Sequence, residues 1–261
     1  MIIFGVCFRP LRAQSKNMNA LLEDIFKTKK FRNSRNEIID INSETSRGQC
    51  EYLQNLIREN GFTDSLEIGF AYGMSTLAIV EEIAKRNGRH TVIDKFQVTD
   101  WGGNGLDLVQ QAGYEPNLTF VDKYCYEVLP QLMQNGLKID FAYIDSTKQF
   151  DWLLVDFFYI DKLLKVGGIV VFDDVAFPSI RKLLRYLSDF PGYKVHSSFP
   201  ASVPSSALRK MAGLLKVLPK AKRLFRPEIF VTDHELGLNA NCIALRKIDE
   251  DKRGWDWHTD F

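Results

Sequence analysis

Three aspartates at the ends of two apolar runs carry the strongest chemical signal in this sequence. Asp145 follows the run Ile139–Ile144, and Asp173 and Asp174 follow Gly168–Phe172. Carboxylates gathered at neighbouring strand ends repel one another unless a cation or a proton compensates them. Hard oxygen ligands, few in number and completed by water, suit Mg²⁺ or another divalent cation. The plainer reading is that Asp173 or Asp174 caps the next helix.

A second group lies upstream, in Leu66-Glu67-Ile68-Gly69-Phe70-Ala71-Tyr72-Gly73-Met74-Ser75-Thr76. Gly69 and Gly73 allow a tight turn and a close backbone approach to a ligand at a helix N-terminus. A dinucleotide site would place a second glycine where Ala71 stands. The spacing found here suits a ligand that carries an amino acid instead of a diphosphate. Asp94 ends the next apolar run, where a carboxylate can accept hydrogen bonds from two ribose hydroxyls. Incidental glycines and a surface acid would be the ordinary alternative.

These residues need a scaffold that brings strand ends together. Short apolar runs at 65–69, 91–94, 118–121, 139–144 and 168–172 alternate with helical stretches at about 74–87, 103–112, 126–136, 150–165 and 178–189. That alternation predicts βαβ units. Further strands near 193–199 and 240–247 lack an intervening unit, so the last should run antiparallel. The fold expected is a doubly wound, Rossmann-like, mostly parallel seven-stranded α/β sheet. Residues 1–45 read as an N-terminal helical arm, and 46–261 as the main domain with a basic insertion at about 200–238. Ser46 is the expected N-cap of the domain's first helix.

Composition narrows the class. The 261 residues carry 34 basic and 33 acidic side chains, so a net charge of +1 excludes a globally basic nucleic-acid binder. The four cysteines are scattered, without metal-ligand spacing, which points to a reducing, cytoplasmic setting. The apolar start, Met1–Phe8, is too short to span a membrane and lacks the features of a secretion signal.

With these motifs in place, the stretch from about Ser46 to Asp189 resembles the class I S-adenosylmethionine-dependent methyltransferases. The likeness is to the O-methyltransferase branch of catechol, caffeoyl-CoA and macrocin-type enzymes. It rests on Gly48-Gln49, Leu66–Gly69 with Gly73 and Ser75-Thr76, Cys125–Pro130, and Asp145, Lys148, Asp173 and Asp174. The resemblance implies S-adenosylmethionine contacts at Ser46, Glu67 and Gly73, with Gly69, Ala71 and Ser75 facing the methionine half. Asp94 would meet the ribose, Cys125 the adenine, and Asp145 both cofactor and metal. It further implies metal ligands at Asp145, Asp173 and Asp174, with Asp145 and Lys148 as the catalytic residues and Lys148 as general base. Cys125 stands where the family has serine, and Asp174 where the catechol enzymes have asparagine.

The expected reaction is therefore metal-assisted methyl transfer to a hydroxyl of a small acceptor, a sugar or a phenol. A metal-independent methyltransferase and a noncatalytic cofactor-binding module are the alternatives. The basic amphipathic stretch 207–226 is either a solvated helix, a lid over the acceptor, a binder of anionic substrate groups, or a membrane-surface contact. His196, His234 and His258 have no ligand spacing, and Trp101 and the terminal Trp255–His258 read as packing residues. A homo-oligomer is left open.

Overall fold

The computed structural model describes residues 18–42, 45–199, 233, 236, 238 and 240–259. Nearly all of the basic insertion, including 207–226 and His234, lies outside the described residues.

The main sheet contains β3 (Asp64–Ile68), β4 (Arg89–Ile93), β5 (Leu118–Val121), β6 (Ile139–Ile144), β7 (Leu164–Phe172), β8 (Tyr193–Phe199) and β9 (Cys242–Lys247). Their order is β5-β4-β3-β6-β7-β9-β8. The first five are parallel, and β9 runs antiparallel to both β7 and β8. This is the doubly wound seven-stranded sheet that the alternating pattern predicts, with its antiparallel last strand.

Helices α2 (Arg47–Asn60) and α3 (Met74–Ala84) cover one face; α5 (Cys125–Gln134), α6 (Phe150–Leu163) and α7 (Pro178–Ser188) cover the other. The central strands are buried on both sides, which explains why they read as continuous apolar runs. In β6, Phe141 and Tyr143 pack beneath α2 and α3, while Ala142 and Ile144 pack beneath α5 and α6. Alternate residues of a strand point to opposite faces, so one short run serves two cores. Each fully buried side chain of this size contributes roughly 1.5–3 kcal/mol.

The N-terminal arm contains a helix and, beyond it, a hairpin that the sequence pattern does not announce. After α1 (Ala20–Thr28) comes a hairpin of β1 (Lys30–Arg32) and β2 (Ile38–Asp40). Three-residue strands are too short to establish a two-residue period. The hairpin tip docks on the segment that opens α4 (Asn104–Gln111). Asn33 Nδ2 donates to Asn104 Oδ1 at 3.1 Å, the Ser34 amide donates to Asp107 Oδ2 at 2.5 Å, and Arg35 donates to the Gly102 carbonyl at 3.2 Å. Met18, Leu22, Ile25, Phe31 and Ile41 share a core with Phe70, Met74 and Leu77 of the main domain. Among the described residues no helix is long and apolar enough to cross a membrane.

Candidate active site

In the sheet order, β4 and β6 flank β3, so the connections leaving β3 and β6 diverge and open a crevice at their C-terminal ends. Two adjoining cavities, of about 260 and 220 Å³, occupy it. Gly69, Phe70, Ala71, Trp101 and Asp145 border both.

The glycine loop is shaped by contact as well as by dihedral angle. Gly69 has φ +99°, and a Cβ there would lie 2.1 Å from the Asp145 carbonyl oxygen. Gly73, at φ +79°, would place a Cβ 2.9 Å from Gly105 Cα. Ala71 adopts φ +46°, sparsely populated for a residue with a side chain. Gly73 then begins α3 without a side-chain cap, and Gly73, Met74 and Ser75 border the larger cavity. Uncapped N–H groups of a first helical turn favour an anion such as a carboxylate.

Below the loop, Glu67 is 0% exposed and borders neither cavity. Ser75 Oγ donates to Glu67 Oε1 at 2.6 Å, and His90 Nε2 lies 2.9 Å from Glu67 Oε2. Ser65 Oγ completes the row, 2.9 Å from His90 Nδ1. Ser75 therefore directs its hydroxyl inward. Asp94 borders the smaller cavity and ties the loop down: its Oδ2 accepts from the amides of Phe70 and Ala71 at 2.9 and 3.3 Å, and its Oδ1 from Phe96 N at 2.7 Å. Cys125 is on the same wall, its thiol pushed up chiefly by burial, then by the charge of Asp156.

Ser46 caps α2, accepting from the Gln49 amide at 3.3 Å, and borders neither cavity. Its neighbour Thr45 lines the larger one. Trp101 packs edge-on against Tyr72, with ring centres 4.9 Å apart, and also walls both cavities.

Asp145, Asp173, Asp174 and Lys148 all border the larger cavity. Lys148 Nζ lies 2.7 Å from Asp145 Oδ1 and 3.0 Å from Asp174 Oδ2. Burial lowers the lysine's pKa, but the two carboxylates outweigh it and leave the net shift upward. The ammonium is therefore favoured, and Lys148 can accept a proton only after losing its own, which these two pairs oppose. Burial, then the neighbouring Asp173, raises Asp145 against the opposing pull of Lys148.

Asp173 is placed differently. Gln49 Nε2 and Tyr143 OH each donate to its Oδ2 at 2.6 Å. The Asp174 amide, Cys242 Sγ and Asn241 Nδ2 donate to Oδ1 at 2.7, 3.0 and 3.1 Å. This buried clamp holds Asp174 at φ +53°, which an aspartate tolerates better than most residues. Among the described residues no three His, Cys, Asp or Glu side chains converge as a metal-binding group. The hard oxygens of Asp145 and Asp174 do converge on one point, which fits a cation, and Lys148 supplies one there.

His90, Tyr143, Asn241 and Cys242 escaped the sequence reading. A polar residue within a run otherwise buried on both faces was the available signal for His90 and Tyr143. Asn241 and Cys242 reach the site only because β9 inserts beside β7. Trp257 packs on Tyr186 and Phe190, with Arg253 stacked between, whereas Trp255 is 99% exposed.

Residues 66–175 match a family model described as a methyltransferase domain. Tapetum-specific methyltransferase 1 of Arabidopsis thaliana is 30% identical over 54% of this chain and 58% of its own length. Caffeoyl-CoA O-methyltransferase 2 of Petunia hybrida is 28% identical over 56% of this chain and 63% of its own. The chain thus spans between half and two thirds of these relatives. An O-methyltransferase from Bacillus cereus in complex with SAH superposes with a TM-score of 0.52 at 20% identity, covering 59% of this chain and 74% of the other. The O-methyltransferase TomG from Streptomyces achromogenes, in complex with SAM, gives 0.56 at 18% identity, covering 69% and 82%. At these identities the likeness of structure speaks for the fold.

Proposed function

We infer the activity from the domain that the chain carries, a class I S-adenosylmethionine-dependent methyltransferase domain of the O-methyltransferase branch. We propose that the protein transfers a methyl group from S-adenosylmethionine to a hydroxyl of a small sugar or phenolic acceptor in the cytoplasm. The observation that carries this reading is the pair of cavities joined at Gly69, Ala71 and Asp145. One offers the uncapped start of α3 and an acidic rim; the other offers Asp94 and an aromatic wall. In this reading the smaller cavity takes the adenosine, with Asp94 on the ribose and Cys125 beside the adenine. The larger takes the methionine half along Gly69–Ser75 and the acceptor between Lys148, Asp174 and Trp101.

Bound S-adenosylmethionine supplies an electrophilic methyl group, and a bound divalent cation would supply Lewis acidity toward the acceptor hydroxyl. The chain's contribution is alignment: fixed walls on both sides of the join convert an encounter into an oriented pair. Asp145 and Asp174 would hold the cation, with Asp173 as a third carboxylate once its hydrogen bonds rearrange. Lys148 would accept the acceptor's proton only in its neutral form, after it has given up its own proton to solvent, which displacement of its two ion pairs by the cation would favour. Turnover of hydroxylated acceptors, read as S-adenosylhomocysteine release with Mg²⁺ and after EDTA treatment, tests the proposal. Loss of activity in EDTA with recovery on Mg²⁺ is expected; failure to bind S-adenosylmethionine or its product overturns it.

A second reading has its own observation. Lys148 already neutralises Asp145 and Asp174, so a metal-independent methyltransferase could use the ammonium as its resident cation. Full turnover in EDTA selects that reading.

A further inference from the structure

Ser146 follows Asp145 on the wall of the smaller cavity, and its hydroxyl is committed before any ligand arrives. Ser146 Oγ lies 3.0 Å from Asp156 Oδ2. Asp156, on α6, is 0% exposed. An ionised carboxylate only accepts, so the serine proton turns inward and the serine lone pairs remain for the cavity. Among the described residues Asp156 Oδ1 has no partner that meets hydrogen-bond geometry, and the Cys125 thiol is a weak donor beside the same carboxyl. Burial pushes Asp156 up to about 6, so a mildly alkaline solution keeps it ionised and the direction of the Ser146 bond fixed.

We infer that Ser146, held in its acceptor orientation by Asp156, reads the 6-amino group of the cofactor's adenine ring and rejects a 6-oxo purine. This rests on the reading of the smaller cavity as the adenosine site. Tyr124 and Trp152, ring centres 6.1 Å apart in an edge-on contact, supply flat walls for a purine there. An exocyclic amine can donate to the serine oxygen. A carbonyl at the same position opposes lone pair to lone pair. Rotating the hydroxyl to serve that carbonyl would strip Asp156 of its O–H donor, leaving a buried carboxylate with the thiol alone. Ser146 is thus a specificity residue that touches the cofactor, and Asp156 is a positioning residue acting through it.

The test is calorimetry at pH 8 with two probes, S-adenosylhomocysteine and its deaminated counterpart S-inosylhomocysteine. Wild-type protein should bind the adenosine compound tighter by roughly tenfold or more. Ser146→Ala should bring the two affinities within about threefold, whereas Ser146→Thr, which retains the hydroxyl, should keep the preference. Asp156→Asn should also narrow the ratio, because an amide can donate to the serine and free its proton for the carbonyl. The ratio is insensitive to a general loss of folded protein. Equal binding of both probes by wild type, or an unchanged ratio in Ser146→Ala, overturns the inference while leaving the cofactor assignment intact. Binding of neither probe by wild type removes the adenosine reading and this inference with it.

Discussion

His90 Nε2 and Glu67 Oε2 lie 2.9 Å apart across β3 and β4, both side chains shielded from solvent. The imidazole links a row from Ser65 to Ser75, so the first turn of α3 is braced from the neighbouring strand. His90→Ala would leave a buried acceptor short of a donor, at a cost of about 1–3 kcal/mol. We expect a lower melting temperature together with weaker S-adenosylhomocysteine binding. Unchanged affinity in a folded variant would detach His90 from the cofactor loop.

Gly69→Ala should be more severe. The added Cβ meets the Asp145 carbonyl at 2.1 Å from a backbone at φ +99°. The ends of β3 and β6 must separate, costing roughly 3 kcal/mol or more and spoiling both cavities. Denaturant melts and calorimetry check the two effects, and wild-type values in both would refute the described loop.

Lys148→Met tests the shared seat of charge. The substitution removes the cation between Asp145 and Asp174 without adding a polar group. Affinity for Mn²⁺, measured by calorimetry, should rise by roughly tenfold, since a positive charge no longer opposes the incoming ion. The same variant should lose most turnover. An unaltered Mn²⁺ affinity would mean that lysine and metal do not meet at these carboxylates.

Asp156 predicts a pH dependence of stability. Burial raises its folded-state value from 3.8 to about 6, so the native protein holds this proton more tightly than the unfolded chain does. The resulting stabilisation is complete below about pH 4 and disappears as pH rises through about 6, a change of about 3 kcal/mol. Asp156→Asn lacks this titration. The difference between wild-type and variant unfolding free energies should therefore drift by most of that amount, about 2 kcal/mol, between pH 4 and pH 7. A constant difference would show that Asp156 is not perturbed.

The sheet and the strand-end acids were legible because they depend on local pattern. Ile139–Ile144 and Leu118–Val121 are bounded in the structure as the apolar runs predict, and Asp94, Asp145, Asp173 and Asp174 border the crevice. The relations among these groups were not legible, since they depend on which side-chain atoms meet. Nothing in the spacing of Asp173 announces a clamp by Gln49, Tyr143, Asn241 and Cys242, drawn from four separate elements and connections. Nor does Lys148, three residues beyond Asp145, reveal that it also reaches Asp174. Within the arm the helix α1 was legible but the hairpin was not, because Phe31 and Ile39 sit in strands of three residues, too short to show a two-residue period.

That arm bears on how the protein can be dissected. Its hairpin grips the residues next to Trp101 through Asn33, Ser34 and Arg35, and its apolar side chains complete the packing over Phe70 and Met74. A fragment begun at Ser46 would keep every strand of the main sheet yet unroof the glycine loop and loosen the indole between the two cavities. The unit that supports the two cavities is thus longer than the seven-stranded sheet and its helices, and minimal expression fragments should retain the hairpin.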